Sequence, residues 1–238
     1  MEGYWKGYNN IYQFNQTFLT VLQATSYADD DSPIWSSSDG LFNRGEGYSV
    51  GLEAMLRKDS GALTGWLAYS IGRTEYNFED INSDRDFTPR HDRRHVANLV
   101  ANIDVRNGLR KLRGAPKRRD PGKWSIGVTT IYGSGQPITD PGSVYVTRVA
   151  PSQEGSMLRH APTVINGLRI PAYARLDVSL TYRRDFGTWS MAPYVQLFNA
   201  GNRKNIWFID YDFRGLETDI DPVHMFPVLP TVGATFTF

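Results

Sequence analysis

Hydrophobic and polar residues alternate along much of the chain, and the alternation is clearest over its final eight residues, 231–238. Val232, Ala234, Phe236 and Phe238 occupy the even positions there, whereas Thr and Gly occupy the odd positions. Since successive side chains of a strand point to opposite faces, the segment predicts a β-strand with one apolar face and one small, polar face.

Upstream segments also alternate or are rich in aromatic residues, so we expect about eight antiparallel strands in all. The predicted strands cover 4–14, 47–58, 63–76, 91–105, 123–133, 173–184, 189–198 (extended through 206–213) and 230–238. No segment of useful length keeps the helical period of about 3.6 residues, which favours an all-β fold.

The connections between these strands alternate, mostly, between short and long. Tight turns are predicted at 59–62 and 185–188, and long loops at 15–46, 77–90, 134–171 and 214–229. Short turns at one edge and long loops at the other are typical of transmembrane β-barrels. We therefore expect an antiparallel transmembrane β-barrel segment with long extracellular loops and short periplasmic turns.

Composition narrows the class further. The 238 residues include 13 Tyr, 12 Phe and 6 Trp but no Cys, which excludes a disulfide scaffold and thiol chemistry. No stretch approaches the run of about 20 apolar residues that a membrane helix needs. The mean hydropathy of −0.42 is compatible with a barrel, because only every second strand residue faces lipid. The first residues lack a basic region followed by an apolar run, so no signal peptide is expected.

One connection, residues 106–122, is strongly basic and long for a periplasmic turn. A basic run of this kind is able to bind nucleic acid, but a solvated turn is the commoner role. The net charge of the whole chain is only +1, so no nucleic-acid partner is expected.

Two segments have features of metal sites. Residues 80–86 resemble the opening of a calcium loop, but Arg85 and His91 stand where an EF-hand loop needs Gly and Glu. His91 and His95 have a zinc-protease spacing only if they lie on a helix; on a strand they would be about 13 Å apart. No metal or other cofactor is predicted, and His95 is interpreted as a residue of the lumen mouth or interface.

Catalytic chemistry has little support in the sequence. His91 beside Asp92, with serines in the loops, is the one hint of a hydrolase. No nucleophile elbow or paired-carboxylate motif accompanies it, so the chain is not expected to be an enzyme. Charged residues on the polar faces of strands (Glu53, Arg57, Arg175, Asp177) are interpreted as lumen-facing. Their first expected role is to fill and rigidify the barrel interior, and substrate contact is secondary.

Several motifs resemble those of TonB-dependent outer-membrane receptors. The final strand is similar to the C-terminal barrel-assembly signal, with Thr231, Gly233, Phe236 and Phe238 at the positions of that signal. Upstream, residues 51–53 with 65–70, His95 at the head of a strand, 132–139, 169–177 and 198–205 resemble the late strands of the family in order. Together the motifs cover residues 47–238.

This resemblance implies an outer-membrane location in a bacterium and a role in the binding and uptake of a siderophore, glycan or peptide. The family fold is a plug inside a barrel of about 22 strands, so residues 1–238 are expected to be the C-terminal part, without the plug and the earlier strands. The implied partners are membrane lipid, the barrel-assembly machinery, the TonB complex through a plug encoded elsewhere, and another chain or surface lipoprotein that supplies the rest of the receptor.

Two alternatives stay open at this point. Eight strands can close on themselves into a small barrel filled by side chains, which would suit a structural or adhesive role. Small and polar inner positions such as Ser49, Gly51, Gly127 and Ser179 favour a wide, wet lumen instead. A soluble β-sandwich is the other alternative. The aromatic residues at the strand ends argue against it, because they would suit membrane interfaces.

Overall fold

The computed structural model describes residues 1–14, 42–79, 81–105, 122–139, 143–148, 156–161, 164–212 and 219–238. Within these ranges the chain is almost entirely antiparallel β-structure, with a short 3-10 helix at Asn82–Asp84. In the same part of the chain, no helix has the length and apolar character needed to cross a membrane. The all-β prediction is therefore confirmed.

The strands follow one another in fourteen segments. They are β1 (Glu2–Phe14), β2 (Phe42–Lys58), β3 (Leu63–Phe78), β4 (His95–Asp104), β5 (Gly122–Gly133), β6 (Pro137–Ile138), β7 (Ser143–Arg148), β8 (Ser156–Ala161), β9 (Leu168–Arg169), β10 (Tyr173–Asp185), β11 (Ser190–Phe198), β12 (Ile206–Asp212), β13 (Asp219–His224) and β14 (Leu229–Thr237).

Eight of these strands form one main sheet in the order β1-β2-β3-β4-β5-β10-β11-β14. Every neighbouring pair is antiparallel, and each strand pairs with the main-sheet strands that precede and follow it in the chain. The other six form two-stranded ribbons: β6 with β9, β7 with β8, and β12 with β13. These ribbons belong to the long connections at one edge of the main sheet, whereas 59–62 and 186–189 are tight turns at the opposite edge.

The main sheet is open. Among the described residues β1 pairs with β2 alone and β14 with β11 alone, so each has one edge without a strand partner. In the part of the chain that the structure describes, the first strand does not pair with the last, as a self-closed eight-stranded barrel would require. The predicted barrel is thus present only as an eight-stranded antiparallel sheet.

Three predicted strand boundaries were wrong. The second strand begins at Phe42 rather than at residue 47, because residues 42–45 continue the pairing with β1 as far as Phe14. The fourth strand begins at His95 rather than at residue 91, because the amide of Asp92 donates to the carbonyl of Pro89 and closes a turn there. The strand at 189–198 does not continue through 206–213; it ends at Phe198, and β12 pairs with β13 outside the main sheet. Asn199 and Asn202 have φ angles of 49° and 46°, and this left-handed backbone interrupts an extended strand.

The described residues contain little conventional core. Only two large apolar side chains are buried, Phe78 and Phe87, whose rings stack with centroids 5.9 Å apart. They join the long-loop end of β3 to the segment that follows it, and the Tyr76–Phe87 backbone pair supports the contact. The rest of the main sheet is held chiefly by its hydrogen-bond ladder, with both faces largely accessible.

Candidate functional site

One face of the main sheet is mainly apolar, with His95 on β4 and Thr130 on β5 as polar exceptions in the central strands. Directly opposed residues of an antiparallel pair lie on the same face, so the register assigns each side chain to a side. The apolar face, as we call it, carries Trp5, Val50, Leu52, Ala54, Leu56, Leu63, Leu67, Tyr69, Ile71, Ala97, Leu99, Ala101, Ile103, Trp124, Ile126, Val128, Tyr132, Ala174, Leu176, Val178, Leu180, Tyr182, Met191, Pro193, Val195, Leu197, Pro230, Val232, Ala234 and Phe236.

Many of these side chains are exposed in the described part of the chain. Leu56 is 72% exposed and Val232 78%, and exposed members occur on the central strands as well as at the edges. Isolated exposed apolar residues are ordinary on soluble proteins, but a continuous apolar face of this extent marks an interaction surface.

The apolar face has a consistent depth along the strands. On β5 it runs from Trp124 to Tyr132, and on the adjacent β10 from Ala174 to Tyr182. A segment of that length spans about 27 Å along a strand, or roughly 21 Å across a membrane when the strand tilts by about 40°. This is close to the apolar band of outer-membrane barrels, about 25 Å tall.

Charged and aromatic side chains mark the limits of the apolar face. At the long-loop edge, Arg73 and Glu75 follow Ile71 on the same face of β3, and their side chains form an ion pair. At the short-turn edge, Lys58 on β2 and Arg184 on β10 occupy the corresponding positions. Polar ends of this kind define a band of limited height.

Aromatic rings cluster at the short-turn edge. Trp124 and Tyr182 lie with ring centroids 4.8 Å apart, and Phe186 stacks on Trp189 at 4.3 Å. Trp189 in turn stacks on Phe236, with centroids 6.4 Å apart. Amphipathic rings in a row at one level are typical of the girdles of membrane proteins.

The opposite face, which we call the polar face, carries mainly small and hydrophilic residues. Ser49 and Thr74 share a hydrogen bond of 2.9 Å across β2 and β3. At Gly127 a Cβ would come within 2.5 Å of the Ser179 hydroxyl, so a larger residue there would require the Ser179 side chain to rotate. The polar face also includes Ser70, Asn98, Asn102, Ser125, Thr129, Thr181, Gln196 and Thr235.

The four charged residues expected in a lumen all lie on the polar face. Arg175 and Asp177 form an ion pair of 3.1 Å on β10. On β2, Arg57 pairs instead with Asp59 of the adjoining turn at 2.6 Å. Glu53 lies opposite Ser70. Because β2 and β10 are four strand spacings apart, about 19 Å, the four do not form one charged network.

The four residues of the expected assembly signal divide between the two faces. Thr231 and Gly233 lie on the polar face, Phe236 lies on the apolar face, and Phe238 follows the end of β14. A side chain at Gly233 would come within 2.6 Å of the Tyr194 hydroxyl, so the ring of Tyr194 covers this position.

A hydrogen-bonded hinge connects β11 to the long-loop edge. The Asn199 side chain is 1% exposed; its amide donates to the carbonyls of Arg203 and Phe226. The backbone N–H of Asn199 donates to Asp177 at 2.9 Å. Asn205 reaches across to Ala174, accepting from its N–H at 3.0 Å and donating to its carbonyl at 2.8 Å. Asn205 thus takes the place of a strand partner for Ala174, beyond the point where β11 ends.

A second polar cluster joins two long connections. Asp92 is 5% exposed and accepts from the Thr74 amide at 3.0 Å and from Arg169 at 2.8 Å. Arg169 also donates to the carbonyl of Gly135. His91 beside Asp92 is the one hint of a hydrolase in the sequence, but in the structure the Asp92 carboxylate pairs with Arg169. Asp92 and Arg169 are 77 residues apart in the chain, so no local sequence pattern could have predicted that they pair.

The remaining candidates have structural positions or fall outside the described residues. His95 opens β4, and its Nδ1 lies 2.8 Å from the Tyr69 hydroxyl. The described residues contain no group of three or more His, Cys, Asp or Glu placed to hold a metal ion. Asp80, the first residue of the calcium-like segment, and 106–121 of the basic connection lie outside the described residues.

No family model, curated protein or solved structure matches this chain. Its function must therefore be inferred from the two unlike faces of the sheet, the open edges and the motifs of its own sequence. Among these features, the apolar face is the most extensive.

Proposed function

We propose that the chain is the C-terminal part of a β-barrel in the bacterial outer membrane, belonging to a TonB-dependent receptor that binds and takes up a nutrient. The observation that carries this proposal is the apolar face, which is continuous over eight strands and bounded by charges and aromatic rings. Lipid is the solvent that such a face fits, because burying apolar side chains away from water is favourable.

A soluble sandwich would need a second sheet over the apolar face. The described residues outside the main sheet form only short two-stranded ribbons in the long connections. Alternation of an apolar and a polar side along each strand, with tight turns at one edge, is the pattern of barrel strands that face lipid on one side and a wet lumen on the other. The small residues of the polar face suit that lumen.

The open edges favour a part of a larger barrel over a self-closed small one. Unpaired backbone groups at β1 and β14 would each cost several kcal/mol in lipid, so further strands must complete the sheet. Another segment or another chain would supply these strands, and a plug supplied with them would link the barrel to the TonB complex.

The receptor class rests on the family-like motifs. Residues 169–177 and 198–205, which resemble receptor motifs, coincide with the start of β10 and with the hinge after β11. The polar links between these two segments support the view that the motifs act together. Binding of the nutrient is assigned to the long loops, because loops on a rigid scaffold commonly carry recognition.

Cell fractionation tests the membrane assignment directly. The chain, expressed together with the strands that complete its sheet, is expected in the outer-membrane fraction, and we expect detergent, but not high salt or carbonate, to extract it. A matched chain with Asp substituted at Leu99, Val128 and Val178 should be lost from that fraction. Recovery of the unaltered chain as a stable soluble monomer without detergent would overturn the proposal.

A further inference from the structure

A cavity of about 230 Å³ lies at the long-loop edge, outside the sheet faces. Four segments line it: the β3–β4 connection, which contributes Arg90, the segment after β5, the segment before β10, and β12. Trp207, Phe208 and Tyr211 contribute aromatic rings from β12, and Arg90 and Gln136 contribute polar groups. We call this space the loop cavity.

The wall of the loop cavity opposite β12 is fixed by hydrogen bonds. Asn166 donates to the carbonyl of Thr88 at 2.8 Å, and its backbone N–H donates to the Thr139 hydroxyl at 3.0 Å. The amide of Ile170 donates to the carbonyl of Gln136 at 3.1 Å, and β6 pairs with β9 in the same segment. A wall held in this way is available to a ligand without a large ordering cost.

The charge of the loop cavity is one-sided. Arg90 is exposed. Among the described residues that line the cavity, Arg90 is the only charged side chain, and the Tyr211 phenol is the one other ionisable group. No described carboxylate forms an ion pair with Arg90; nearby Asp92 is engaged by Arg169 at 2.8 Å. Among the described residues the Arg90 guanidinium therefore has no carboxylate partner, and a guanidinium binds carboxylates through paired hydrogen bonds.

The rest of the lining combines apolar and aromatic side chains, chiefly from β12, with the polar side chains of Gln136, Thr139 and Asn166. Trp207 is 67% exposed and Phe208 43%, so their rings are available at the rim. Two of the polar side chains already have partners in the wall: the Asn166 amide donates to the Thr88 carbonyl, and the Thr139 hydroxyl accepts from the Asn166 backbone N–H. Aromatic walls with a single cation fit a ligand that has one anionic end and an apolar body.

From this combination, we propose that the loop cavity binds small organic carboxylates with an aromatic or aliphatic body. The carboxylate pairs with Arg90, and the apolar body lies against Trp207 and Phe208. Its role as a ligand site in uptake rests on the proposed function, whereas binding itself depends only on the cavity.

The test compares a carboxylate with its neutral amide. The full chain, folded in detergent micelles, is titrated by calorimetry with 3-phenylpropionate and with 3-phenylpropionamide. The acid is expected to bind at least about tenfold more tightly, as a charge-assisted hydrogen bond would require. Arg90→Gln should abolish that preference, and Trp207→Ala should weaken binding of both compounds while the preference for the acid remains.

Arg85→Gln is the matched control, since Arg85 is also exposed in the β3–β4 connection but does not line the loop cavity. It should bind both compounds like the unaltered chain. Circular dichroism checks that every variant keeps its β-structure. Equal binding of acid and amide, a preference that survives Arg90→Gln, or no saturable binding by the folded chain each overturns the loop-cavity proposal. Fractionation reports separately on the membrane proposal, so either can fail alone.

Discussion

At the scale of single residues, asparagine and aspartate hold the long-loop edge together. Asn199, Asn205 and Asp177 substitute side-chain hydrogen bonds for the ladder that is lost where β11 ends. Buried polar groups of this kind contribute most when every partner is present, because a group left unpaired keeps its desolvation cost.

Asp177→Ala should therefore destabilise the folded sheet. The substitution removes the acceptor for the backbone N–H of Asn199. It also leaves the half-buried Arg175 guanidinium without its carboxylate, and the total cost should be about 2–3 kcal/mol. Urea unfolding from detergent or lipid, followed by tryptophan fluorescence, measures the change. Asp185→Ala removes an exposed ion pair with Arg183 and should change the free energy of unfolding by less than about 1 kcal/mol. Equal effects of the two substitutions would contradict the assigned role of the hinge.

The two faces of the sheet can be distinguished by single arginine substitutions at one depth. Val178→Arg puts a charge in the middle of the apolar face and should cost about 2–4 kcal/mol in a bilayer. Thr129→Arg, on an adjacent strand but on the polar face, is expected to cost much less because its side chain would face a wet lumen. Unfolding in lipid vesicles measures both. A larger loss for Thr129→Arg would reverse the assignment of the faces.

At the scale of elements, the sequence indicates the strands well where alternation is long and uninterrupted. β5, β10 and β14 lie within one residue of their predicted limits because a single period governs each whole strand. Residues 198–205 were matched to a hinge motif, but the strand before them was wrongly extended through 206–213, because the contacts that fix the turn at Asn199, such as the one with Phe226, lie far along the chain. The β12–β13 ribbon and the loop cavity follow from that turn, so neither could be read from local periodicity.

The absence of cysteine makes the orientation of the connections measurable. In intact cells, Lys204→Cys, in the exposed hinge after β11, should react with a membrane-impermeant maleimide. Ser60→Cys and Thr188→Cys, in the tight turns at the opposite edge, should react only after the outer membrane is opened. The opposite labelling pattern would invert the proposed topology. Labelling of all three positions in intact cells would contradict a membrane that separates the two edges of the sheet.

At the scale of the whole molecule, the sheet has two unlike faces and two open edges. Alternation predicted the faces, since each strand carries its own period. Whether the sheet has open edges depends on whether β1 pairs with β14. These strands are more than 200 residues apart, and no local pattern encodes their pairing. The charged residues of β2 and β10 illustrate the same point: their face was predictable, but their separation followed only from strand order.

Hydrogen exchange should report those edges. In the chain alone, outward amides of β1 and β14 are expected to exchange much faster than amides of β4 and β5, which pair on both sides. Addition of the segment that completes the barrel should slow exchange at both edges together while the central strands change little. Equal protection of edge and centre in the isolated chain would mean that it closes on itself.

Each main-sheet strand pairs with the neighbours that come before and after it in the chain, so the sheet is a simple meander. Such a sheet can be lengthened or shortened by whole hairpins without a change in the direction of any remaining strand. Loss of a single strand would instead invert every strand on one side of the break and exchange loops with turns. Gene duplication acting on this architecture is thus constrained to steps of two strands, and a natural variant of different size should differ by an even number.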